Sequence, residues 1–211
     1  RAQRQSRGWS AEGLVDAMHA AARCNADVKG GSDDRDYALE RAVVAVALAD
    51  YFAMVFWSIP RISAEAGGLA VFDMRPGGYS FEEAKAFLAA LSPEGAAFYT
   101  GVQHKLDAAY PALLALTLGW AILRLTHARW GRWRWLLAAT ALPGMVFDYL
   151  ENLDVSAMLK LGPEGVTPQL VEAASRHSQL KAAATSVAMA VLLVLLALWT
   201  FRRWRRAQKP V

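Results

Sequence analysis

The chain holds 211 residues, 55% apolar and 20% charged, a length that fits one domain or a small module joined to another. Charged segments must therefore alternate with strongly apolar ones, and the +4 net charge with a pI of about 9.4 reflects membrane topology rather than a nucleic-acid footprint. The single cysteine, Cys24, excludes an internal disulfide and a cysteine-built metal site.

Residues 1–49 read as soluble. Trp9-Ser10-Ala11-Glu12 is an N-cap entering a helix whose apolar face carries Leu14, Val15 and Met18. Lys29-Gly30-Gly31-Ser32-Asp33-Asp34 is a polar turn, and a second helix starts near Asp36. The chain opens on Arg1 with no signal peptide, so its natural start is expected upstream.

Three elements of this segment, RGWSAEGL, NADVKGG and DYALERAV, stand in an order and spacing that resembles the C-terminal part of the bacterial DNA polymerase III delta subunit, in its actinobacterial form. The resemblance implies a helical collar that holds clamp-loader subunits together, and so a role in DNA replication. It does not imply clamp opening, because the family's clamp-contacting domain has no counterpart here. Lys29-Gly30-Gly31-Ser32 lacks the spacing of a phosphate-binding loop.

Beyond residue 49 the chain reads as a four-span membrane domain, 50–211, with spans at about 42–59, 108–126, 133–150 and 182–201. The first straddles the junction and carries Asp50 near its middle, a position that costs ~2.5–3.5 kcal/mol in a membrane helix. An external helical loop, 60–107, follows. In it Arg75-Pro76-Gly77-Gly78 is a turn, and Ser80 with Glu83 forms a capping box for a helix over 81–91. That helix puts Phe81, Ala84, Phe87, Leu88 and Leu91 on one face. Ser92-Pro93-Glu94 starts another helix, expected to run through Tyr110 into the second span.

The basic, aromatic segment 129–135 joins the second and third spans, and Pro143 lies inside the third. Ala182–Phe201 is twenty residues without a charge, the length that crosses a ~30 Å hydrocarbon core. Trp130, Arg132 and Trp133, and after the last span Arg202, Arg203 and Trp204, are expected interface anchors. Arginine is concentrated before the first span, between the second and third, and after the fourth. By the positive-inside rule this makes the protein a multi-pass protein of the inner membrane with both termini cytoplasmic. The fold class expected is all-α: a four-helix transmembrane bundle with a short soluble helical N-terminal segment. The motifs DMRPGGYSFEEA, LDAAYP and DYLENLD are similar to a group of bacterial four-span membrane proteins with no assigned function, which implies a fold and no activity.

The candidate site is acidic. Asp148, Glu151 and Asn152 fall at i, i+3 and i+4 on one helix face at the outer end of the third span. Asp107 and Tyr110 begin the second span at the same depth, with Gln103 a turn earlier, and Asp50 lies deeper. Carboxylates meeting at one level of a membrane bundle can bind a hard cation such as Ca²⁺ or Mg²⁺, relay protons or hold a cationic ligand. The competing reading is that DYLENLD ends a helix at the membrane–water boundary. Asp154 points to a different side, and the four histidines show no metal-binding spacing. No cofactor is expected. The expected partners are the lipid bilayer, clamp-loader subunits through residues 1–49 and a second copy of the chain, with no direct contact to nucleic acid. Three functions compete: a non-enzymatic module binding a partner, lipid or cation through the acidic cluster; a carboxylate-dependent transporter or enzyme; and a delta-like replication protein fused, naturally or artefactually, to membrane spans.

Overall fold

The computed structural model describes residues 35–207. Most of the delta-like segment, with Trp9, Cys24 and the Gly30-Gly31 turn, lies outside them. The described residues are helical and contain no strand.

The first long helix has no break at the 49/50 junction. It is built from α1 (Arg35–Ala53), a π-helical segment (Met54–Ser58) and α2 (Ile59–Glu65). A loop with one 3₁₀ turn at Phe72–Met74 leads to α3 (Phe81–Ala90). The expected capping box is present: Ser80 Oγ accepts from the Glu83 amide at 3.2 Å, and the Ser80 amide donates to Glu83 Oε2 at 2.7 Å. The Ser80 amide, and the Ser80 hydroxyl that donates to the same Oε2 at 2.9 Å, hold the exposed Glu83 carboxyl below its ordinary pKa, the backbone bond contributing most.

The second long helix joins α4 (Pro93–Phe98), a π-helical segment (Tyr99–Gln103) and α5 (His104–Leu125). Ser92 caps it by accepting from the Gly95 amide at 3.0 Å, with Pro93 in the first turn where its missing N–H is not needed. So the helix expected to begin at Ser92-Pro93 does run unbroken into the second span. The ends of the expected 60–107 loop, residues 60–65 and 93–107, belong to the two long helices.

After a turn at 126–132 come α6 (Trp133–Ala139), α7 (Leu142–Gly165) and α8 (Pro168–Ala207). Among the described residues three helices are long and apolar enough to cross a membrane: Ala38–Glu65, Pro93–Leu125 and Pro168–Arg205. The expected third span, 133–150, is not one of them. It is split at Thr140–Ala141, just before Pro143 enters the first turn of α7 without an amide donor. Its continuation also carries Asp148, Glu151 and Asp154.

Packing differs sharply between the two ends. Around α2, α3 and the start of α8 lies a dense core in which Ile62, Phe72, Phe87 and Met158 have no exposed surface. Phe72 meets Phe87 edge-on with ring centres 4.7 Å apart and lies 5.0 Å from Tyr79. The apolar face expected for α3 is thus buried, against α7 and α8. Away from this head, the described helices share a smaller core cluster of Ala115, Leu118, Ala141 and Ala188. Large side chains there face outward, Phe56 at 74% and Leu193 at 59% exposure, a surface that suits lipid and not water.

Two glycines let the backbones approach. Gly78 has φ +83°, and a Cβ there would sit 2.4 Å from Gln179 Nε2 and 2.6 Å from Ser175 Oγ on α8. Gly144 on α7 lies against Thr185, whose Oγ1 a Cβ would meet at 2.6 Å.

Candidate functional site

A layer of buried polar groups separates the packed head from the lipid-suited stem, and LDAAYP shows how the sequence builds it. Pro111 lies inside α5 and has no amide to donate, so the carbonyl of Asp107, four residues back, loses its helical partner. Asn152 of α7 fills the vacancy: its Nδ2 donates to Asp107 O at 3.2 Å. The neighbouring carbonyl, Ala108 O, accepts from Tyr149 Oη at 2.9 Å.

The layer extends across the helices from there. Gln103 Nε2 donates to Asp107 Oδ1 at 2.9 Å, and Ser58 donates to Gln103 Oε1. Ser58 and Gln103 are both fully buried, and each is the last residue of a π-helical segment. Such segments put an extra residue into a turn and often mark functional positions. On the other side, Ser178 and Lys181 of α8 both contact the fully buried Glu151. The Lys181 ammonium is also 3.5 Å from Asp148 Oδ1. Tyr99 Oη donates to Asp73 Oδ2 at 2.7 Å, and Asp73 lies within electrostatic reach of Asp107, Asp148, Glu151 and Lys181. Tyr79, above the layer in the head, has its hydroxyl pKa pushed up, first by burial and then by the charge of Glu151.

The expected residues Asp148, Glu151, Asn152 and Asp107 are therefore brought together. Tyr110 is not in the hydrogen-bonded layer; its ring stacks on Tyr51 with centres 5.9 Å apart. Asp50 stands on α1, half-buried, with Oδ2 out of solvent and without a hydrogen-bond partner. Asp154 does face elsewhere and pairs with His177 at 2.7 Å. His104 bonds Ser156 at 2.7 Å, and His127 accepts from the Arg129 amide. Of the interface anchors, Trp133, Arg132, Arg202, Arg203 and Trp204 are exposed and Trp130 is half-buried.

Sequence reasoning missed Lys181, Ser178, Ser58 and Asp73. Lys181 had a signal: it directly precedes the uncharged run 182–201, at the level of the carboxylates, where a lone cation needs a partner. Among the described residues no group of three or more His, Cys, Asp or Glu side chains is arranged to hold a metal ion. The arrangement is instead a pair of carboxyls, Asp148 and Glu151, on one ammonium. No family model, curated protein or solved structure matches the chain.

Proposed function

We propose that the chain is a four-span protein of the inner membrane, both termini cytoplasmic, and that it works as a non-enzymatic module binding a cationic group at its outer acidic layer. One observation carries the reading: Asp148 and Glu151 share a single ammonium, that of Lys181, while Asp73 and Asp107 lie within electrostatic reach with hydrogen bonds to Tyr99 and Gln103 and no cation of their own. A buried layer with more acids than bases has room for a further positive charge, whether a cation or the ammonium of a ligand. A transporter or enzyme using the same carboxylates is the alternative. It is less well supported, because the layer runs across the helices, whereas the stem below is filled by Ala115, Leu118, Ala141 and Ala188. The delta-like motifs of residues 1–49 support a separate role in clamp-loader assembly, which co-purification with the other loader subunits tests.

The layer is tested by titration calorimetry on the full chain in detergent, with Ca²⁺, Mg²⁺ and a small organic ammonium. An incoming cation competes with Lys181, so Lys181→Met tightens binding and Asp148→Asn with Glu151→Gln abolishes it. Absence of binding to both the wild type and Lys181→Met would refute the proposal.

A further inference from the structure

At the end of α5 farthest from the acidic layer, the chain turns over 126–132 and enters α6. No acidic residue occurs between Asp107 and Asp148, while Arg124, Arg129, Arg132 and Arg134 all fall in that interval. Two of the four are engaged. Arg124 holds Glu40 of α1 at 3.0 Å, and Arg134 donates to Leu123 O at 3.2 Å. Among the described residues no carboxylate pairs with Arg129 or Arg132, and both are exposed.

The turn is nonetheless well formed. Trp130 and Gly131 donate to His127 O and Ala128 O, each at 3.0 Å, and Gly131 turns the chain with φ +51°. This sets Arg129 and Trp130 beside α6, along an open groove of about 590 Å³ lined by Arg129, Trp130, Trp133, Leu136 and Leu137. That volume lies in the range of small-molecule sites. The groove has an apolar floor and an arginine at its rim. Trp133 and Leu136 are 62% and 57% exposed, on a helix leading into the stem.

We propose that this groove binds one anionic phospholipid, with its phosphate on Arg129 and Arg132 and an acyl chain along Trp133, Leu136 and Leu137. The chemistry favours this occupant. Guanidinium forks match phosphate oxygens in pairs, indole rings settle at the headgroup level, and each cation near an anionic membrane surface contributes ~1 kcal/mol. A zwitterionic lipid would satisfy the floor but repel part of the rim, and a soluble anion would leave the floor empty. The site needs only a chain embedded in a bilayer, and stands whether or not the acidic layer binds a cation.

Native mass spectrometry of the full chain, released from micelles containing equal phosphatidylglycerol and phosphatidylcholine, tests it. The expected result is one retained phosphatidylglycerol in preference to phosphatidylcholine. The preference falls about fivefold for each arginine removed in R129Q and R132Q, and is unchanged in R202Q/R203Q. Arg129 and the neighbouring Arg132 are both exposed, so unchanged helical circular dichroism accompanies the loss. Equal retention of the two lipids overturns the proposal, as does a preference that survives R129Q/R132Q. It is likewise overturned if the preference drops equally in R202Q/R203Q, which means a diffuse basic rim, or if inorganic phosphate displaces the lipid, which means a free-anion site.

Discussion

Asn152 donates to the backbone carbonyl of Asp107, the acceptor that Pro111 leaves open one turn on. A helix defect on one element is thereby closed by a side chain from another, and two sequence motifs 45 residues apart are tied together. Asn152→Ala should cost about 1–3 kcal/mol, the penalty of an unpaired buried carbonyl. In a Pro111→Ala background the helix regains its own amide donor, and the same substitution should cost less. Urea unfolding of the four proteins of this cycle in detergent measures the coupling. Additive losses would mean that the bond does no such repair.

The ion pair should behave as a buried one. Lys181→Met leaves Asp148 and Glu151 without their cation and is expected to destabilise by about 3–5 kcal/mol. Glu151→Gln leaves Lys181 its contact with Asp148 and should cost less. Thermal unfolding of both variants checks the order, which reverses if Lys181 is a solvated surface residue.

Gln103 accepts from Ser58 and donates to Asp107, bridging the two π-helical segments. Gln103→Leu removes both bonds and leaves buried oxygens on both neighbours, so a loss of about 1–3 kcal/mol is expected. Ser58→Ala should lose roughly 0.5–1.5 kcal/mol. Hydrogen exchange should then speed up in 54–58 and 99–103 before the rest of either helix. Uniform acceleration along both helices would count against a local bridge.

Much of this was legible in the sequence where the signal is local. Ser80 and Glu83 mark their capping box, Ser92-Pro93 marks the start of the second long helix, and the i, i+3, i+4 spacing puts Asp148, Glu151 and Asn152 on one face. The interruption of the third expected span was only half legible. Pro143 announces a fault, but that the later part of α7, with Val155 and Met158, belongs to the packed head follows from its packing on α3 and α8. Lys181 and Asp73 were not found because each reads locally as something ordinary, a charge at a membrane boundary and a loop aspartate. The contact of Lys181 with Glu151 and the bond of Asp73 to Tyr99 come from tertiary structure alone. The π-helical segments carry no sequence mark.

The cap of α3 gives a pH test. The folded pKa of Glu83 is below its unfolded value, so its contribution is complete above the unfolded pKa, near 4.3. That contribution disappears as pH falls through the lower, folded value. NMR of residues 80–84 should show the Ser80 amide losing its hydrogen bond only in acid below the ordinary carboxylate range. In Glu83→Ala the acid transition of that amide should be absent, and its persistence there would assign it to another group.

Gly78 fixes the loop before α3 to α8. Gly78→Val meets both a positive φ, roughly 1–2 kcal/mol for a residue with a side chain, and the Ser175 and Gln179 side chains. The expected outcome is faster proteolysis within 66–80 with little change in the stem. An unchanged digestion pattern would place no constraint at Gly78.

The central claim is that the packed head with its acidic layer and the basic turn at 126–132 lie on opposite faces of a membrane. Cysteine labelling of intact spheroplasts tests it most directly, with single cysteines at Gly77 or Arg129 in a Cys24→Ser chain. The account predicts that a membrane-impermeant maleimide modifies Gly77→Cys from outside and reaches Arg129→Cys only after lysis. Equal labelling of both positions before lysis, or labelling of Arg129→Cys alone, would contradict it.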